Sequence, residues 1–146
     1  MKTGIVGAVI VAVVLSACHA TDESRIQAEL LQLSENRQKW DAQAIQDYSF
    51  DYDKVAMIFT RPVHIEVAGG NVSRVTDRGS GAVYSNAGVP TVDSLFAEID
   101  RAIAEPNEHL LAEYDATLGY PTTITLGSNI PDTGLSQSIT NLQRTP

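Results

Sequence analysis

Tyr48-Ser49-Phe50-Asp51-Tyr52-Asp53 and, further on, Val63-His64-Ile65-Glu66-Val67-Ala68-Gly69-Gly70-Asn71-Val72 decide the fold. In the first stretch every second residue is aromatic and its neighbours are polar. That period of two marks a strand buried on one face. In the second, Val63, Ile65 and Val67 share one face while His64 and Glu66 take the other. Gly69-Gly70-Asn71 reads as a tight turn, because these residues tolerate positive φ. Val72 to Thr76 then returns as a third strand. Connections this short favour antiparallel pairing. Val55, Met57 and Phe59 continue the apolar set of the first strand on the opposite parity. A strand face cannot change parity without an inserted residue, so a bulge is expected near Asp53–Lys54.

Upstream, Asp22 to about Gln46 carries Ile26, Leu30, Leu33, Arg37, Trp40 and Ala44 at three- and four-residue steps, the pattern of an amphipathic helix. Thr21, Asp22 or Ser24 can cap its start, and Ser24 with Gln27 matches a capping box. Trp40 is expected as a core anchor. Downstream, 77–90 is rich in Gly, Ser and Asn and reads as a surface loop. Thr91 and Asp93 can cap a second helix running to about Ala104, with Leu95, Phe96, Ile99 and Ile103 on its apolar face; Pro106-Asn107 stops it. Strands are then expected at His109–Asp115, Thr122–Leu126 and Leu135 to about Leu142. The expected architecture is α+β: an antiparallel sheet with two helices packed on it, in the order α-β-β-β-α-β-β-β.

The chain has 146 residues, 18 acidic against 10 basic, and a formal charge of −8. That balance, with no basic run, argues against nucleic acid as a partner. One Cys supports neither an internal disulfide framework nor a Cys-rich zinc site. At the N-terminus Lys2 precedes an uncharged run from Gly4 to Leu15, too short to span a bilayer and of the length of a signal-peptide core. Leu15-Ser16-Ala17-Cys18 follows and resembles the lipobox of bacterial lipoproteins. The resemblance implies a signal peptide at 1–17, cleavage before Cys18, and a diacylglyceryl group on its thiol. The alternative is an ordinary secretory signal cut near Ala17 or Ala20. On the lipoprotein reading residues 18–21 are the lipidated Cys and a short tether, and 22–146 a single domain. The membrane is then a partner through lipid on Cys18, because two or three acyl chains anchor stably where one does not. His19, in place of Asp, leans towards the outer membrane, facing the periplasm.

No constellation in the sequence compels a reaction. Asp47, Asp51 and Asp53, with Asp41 nearby, lack the Gly turn and terminal Glu of a calcium loop. His64 and Glu66, with His109 elsewhere, have no zinc-site spacing. No nucleophile elbow or phosphate-cradling glycine motif occurs. No catalytic residue, metal ligand or cofactor is therefore expected. Tyr114, Asp115, Gly119, Tyr120 and Pro121 form the most unusual stretch. Asp115 can accept backbone N–H groups, Gly119 supplies positive φ, and Pro121 holds Tyr120 extended. The stretch reads as a structural turn, or as a ligand site using the two tyrosine faces.

Taken in order, Asp47-Tyr48-Ser49-Phe50, Pro62 to Val72, Thr91-Val92-Asp93-Ser94-Leu95-Phe96 and Tyr114-Asp115 to Tyr120-Pro121-Thr122 resemble the bacterial domain of unknown function 6174. The resemblance implies a small envelope or secreted protein, often a lipoprotein, with no assigned activity. Many members carry a cysteine pair after the first strand; Asp53-Lys54-Val55-Ala56-Met57 stands there in this chain, so no role of that pair carries over. The expected function is a non-catalytic binding or accessory module for an envelope protein or small ligand. The alternatives are a hydrolase using carboxylates or His64, and a protein inhibitor acting through the 79–90 loop.

Overall fold

The computed structural model describes residues 16–56, 59–105, 108–128 and 134–145; side chains are described for all of these except 16–22, 59–61, 108 and 128. The expected signal peptide, 1–17, lies outside them but for the backbone of Ser16 and Ala17, as does the side chain of Cys18. In chain order the elements are α1 (Ser16–Asp41), β1 (Tyr48–Ala56), β2 (Phe59–Ala68), β3 (Asn71–Asp77), β4 (Val83–Tyr84), α2 (Val92–Ala104), β5 (Glu108–Tyr114), β6 (Pro121–Ser128) and β7 (Leu135–Arg144). All strands form one antiparallel sheet in the order β4-β3-β2-β1-β7-β6-β5. The α+β architecture is thus as read from the sequence, with a two-residue β4 added inside the loop after β3.

One face of the sheet is the core. Tyr48, Phe50 and Tyr52 of β1, Val63, Ile65 and Val67 of β2, and Ile124 and Ile139 are buried with Val92, Leu95, Phe96 and Ile99 of α2. Trp40 anchors α1 in this core, edge-on to Tyr48 at 5.4 Å and to Tyr120 at 6.2 Å. The Arg37 guanidinium sits 5.9 Å from the Phe96 ring centre, joining the two helices by a cation–π contact. Both sides of the α2 cap are made: Thr91 Oγ1 accepts from the Ser94 N–H and Ser94 Oγ from the Thr91 N–H.

Two expectations are corrected in detail. Helix α1 spans 16–41 rather than 22–46. Gln46 and Asp47 are held elsewhere, the Gly70 N–H bonding the Gln46 carbonyl and the Gly69 N–H bonding Asp47 Oδ1, each at 2.9 Å. The chain turns out of the helix with Ala44 at φ 49°. The bulge is not at Asp53–Lys54: β1 pairs with β2 without interruption from Tyr48 to Ala56. It lies in β7, where the register against β1 shifts between Ser49/Gln143 and Asp51/Thr140, with Asn141 at φ 55°. Asn tolerates that left-handed conformation. β1 keeps its parity by leaving Val55 exposed, a small cost for a single surface valine. Met57 lies outside the described residues.

Candidate functional site

The 115–121 turn is fixed from within. Asp115 Oδ1 accepts from the N–H groups of Thr117 (3.0 Å) and Leu118 (2.6 Å), and the Asp115 and Gly119 backbones close the loop at 2.9 Å. Gly119, at φ +81°, lies against α1: a Cβ there would stand 2.8 Å from Lys39 Cβ and nearer still to the Asn36 carbonyl oxygen. Tyr120 is buried beneath Trp40, and Tyr114 stacks on Phe96 at 6.3 Å. Burial, with the Glu29 charge adding to it, pushes the Tyr114 phenol up to about 12. Tyr120 thus packs on Trp40 and Tyr114 on Phe96, with Tyr114 half-buried, and Gly119 brings the turn against α1.

On the face of the sheet away from the helices, Asp51 and His64 stand directly opposite each other on β1 and β2. His64 Nδ1 lies 2.8 Å from Asp51 Oδ1. The bulge aims the Asn141 amide at Asp51 Oδ2 (2.8 Å), and Arg78 reaches Asp51 at 3.7 Å and Asp53 at 2.9 Å. Burial opposes ionisation of Asp51, but the Asn141, His64 and Arg78 contacts outweigh it and hold the carboxyl below its ordinary range. Each carboxylate thus has a cationic or amide partner on the same face. His109 sits on β5, four strands from β2, so His64 and His109 do not meet. Among the described residues no group of His, Cys, Asp and Glu is placed to hold a metal ion, and no helix is long and apolar enough to cross a membrane.

A concavity with mostly apolar walls lies on the core face of β1, β2 and β3, beside the segment that leads into α2. There the sheet is covered by the segment after β3. Tyr52, Lys54, Val63, Val75, Tyr84 and Val89 bound a cleft of about 330 Å³. The segment that closes it is tied down: Asp77 Oδ1 accepts from Gly79 N–H, Ser80 N–H and Ser80 Oγ, the Tyr84 hydroxyl reaches Asp77 Oδ2 at 3.2 Å, and the Asn86 amide donates to the Val72 carbonyl. Beside the cleft, the Tyr52 hydroxyl donates to Gln137 Oε1 at 2.5 Å and Gln137 Nε2 to Glu98 Oε1 at 2.9 Å. Tyr52 is thereby satisfied by protein, and burial, with Glu98 adding to it, raises its phenol far above the ordinary value.

Reading the sequence missed this cleft, although one signal was present. Lys54 continues the inward parity of Tyr48, Phe50 and Tyr52, a cation in an apolar register. No curated protein and no solved structure matches the chain. A family model described as a family of unknown function, DUF6174, matches residues 32–144. The match runs from the middle of α1 to the last residue of β7 and takes in the whole sheet. The chain therefore belongs to the DUF6174 family.

Proposed function

We propose that this protein is a lipid-anchored, non-catalytic binding module of the cell envelope, facing the periplasm, whose ligand is a small, mostly apolar molecule with an acidic end. The cleft carries this reading. Its volume of about 330 Å³ lies at the lower end of small-molecule sites, roughly 300–1,000 Å³. Its walls are valine and tyrosine, and Lys54 supplies the single lysine or arginine ammonium among its lining residues. The anchor is supported by Lys2, the Gly4–Leu15 run and Leu15-Ser16-Ala17-Cys18.

The test is photolabelling of the full chain in native membranes with a diazirine-bearing fatty acid. Labelled peptides are expected to map to 52–56 and 84–90. Ala87→Trp, which fills the cleft from its exposed wall, should reduce labelling at least tenfold, and Lys54→Glu by about threefold to tenfold. Labelling unchanged by Ala87→Trp would remove the reading. The anchor is tested separately: Cys18→Ala should release the protein from the membrane fraction, and membrane association and processing as before would count against it.

A further inference from the structure

Independently of the cleft, we propose that two copies of this chain join edge to edge along β5, antiparallel, about a two-fold axis at Leu111. Among the described residues β5 ends the sheet, with β6 as its one ladder neighbour. Leu111, at the middle of this edge strand, is 58 % exposed. Long edge strands carrying exposed apolar side chains invite pairing unless something covers them.

The strand's own sequence names the occupant. On the face away from the helices β5 presents His109, Leu111 and Glu113. Reversed about Leu111, the series becomes Glu113, Leu111, His109. Antiparallel pairing of two copies in this register sets Leu111 against the partner's Leu111 and His109 against the partner's Glu113, twice by symmetry. On the core face it sets Leu110 against the partner's Ala112, large against small. A self-complementary patch is what an isologous two-fold interface requires, and hydrogen-bonded and apolar pairs across strands, here imidazole with carboxylate and Leu with Leu, are favourable ones.

The flank beneath the same edge is open. Ile99, Ile103, Leu110, Ala112 and Tyr114 border a recess of about 150 Å³, with Leu110 and Ala112 only half buried. Glu29, which also lines it, keeps Oε2 buried with no hydrogen-bond partner. The opposite edge of the sheet does not repeat this opportunity. β4 is two residues long, and the Asn86 amide occupies the Val72 carbonyl of β3. Pairing therefore closes at two copies instead of growing into a fibre.

Cysteine cross-linking of the full chain in native membranes tests the register, with the unaltered chain as baseline for Cys18. Directly opposed residues of an antiparallel pair have Cα atoms about 4.5–5.5 Å apart, within the roughly 4.4–6.8 Å a disulfide spans. Leu111→Cys should give a disulfide-linked dimer under mild oxidation. Glu113→Cys should give at least tenfold less, its two copies being four positions out of register, about 13 Å apart along the strand. His109→Glu, made with Leu111→Cys, should lower the dimer yield about threefold or more by facing Glu with Glu; adding Glu113→His should restore it. No dimer from Leu111→Cys, equal yields at 111 and 113, a cross-link to a chain of different mass, or failure of the reciprocal exchange would each overturn the proposal.

Discussion

Replacing Gly119 by Ala tests whether the 115–121 turn is the seat of α1. Two costs apply there and can be separated. The backbone sits at φ +81°, and an L-residue in the left-handed region costs about 1–2 kcal/mol. The new Cβ would also press into the Asn36 carbonyl oxygen and stand 2.8 Å from Lys39 Cβ. The first of these is helix backbone and cannot swing aside, so α1 must shift, at about 1–3 kcal/mol for an overpacked contact. Gly70→Ala is the control, because it shares a positive φ of +75° but meets nothing within 4 Å. We expect a loss of about 2–5 kcal/mol for Gly119→Ala and about 1–2 kcal/mol for Gly70→Ala. With a urea slope of about 2 kcal/mol per molar, the Gly119→Ala midpoint should fall by about 1–2.5 M. Urea unfolding followed through Trp40, the sole tryptophan and buried at this contact, reads the change directly. Equal losses in the two variants would refute the argument that α1 rests on Gly119.

The contacts around Asp51 and Gln137 give two further expectations. The Asp51 carboxyl is held below its ordinary range in the fold, so its contribution is present above about pH 4 and is lost as pH falls through the depressed folded value. Asp51→Asn should cost about 1 kcal/mol at neutral pH, its partners being largely at the surface, and should flatten the acid limb of thermal stability; an acid limb as steep as that of the unaltered protein would count against the assignment. Gln137 is buried and joins Tyr52 to Glu98. Gln137→Leu should cost about 1–3 kcal/mol by stranding the Tyr52 hydroxyl, whereas Tyr52→Phe combined with Gln137→Leu should cost less than Gln137→Leu alone; denaturant unfolding of the set decides it.

The strands were legible because their faces obey local rules. Tyr48-Phe50-Tyr52 and Val63-Ile65-Val67 alternate as they must when one side of a sheet is wet, and the Gly69-Gly70 turn announces itself by residue type. What failed were features set by partners distant in sequence. The bulge went to Asn141 because β7, whose pairing with β1 local pattern does not reveal, could absorb the extra residue in a left-handed conformation that Asn tolerates. The end of α1 was misplaced because Gln46 and Asp47 are captured by the 69–70 turn. Gly119 was readable as a turn glycine, but its approach to Asn36 depends on how a helix lies over the turn. The Asp51–His64 pair was foreseeable as a cross-strand contact, whereas the cleft depends on a loop folding back over Lys54.

The order of strands has a consequence for how the molecule comes into being. β1, at the centre of the sheet, is flanked on one side by β7, so that Tyr48 faces Arg144 and Ala56 faces Leu135. The middle of the sheet is therefore completed by the strand that comes last in chain order. Contacts this distant along the chain slow folding, since the loop entropy is lost before the contact forms. Before β7 is made, β1, β2 and β3 have their mutual partners but lack the strand that joins them to β6 and β5. Closure of the sheet is thereby deferred until β7 has been made, whatever compartment the chain folds in.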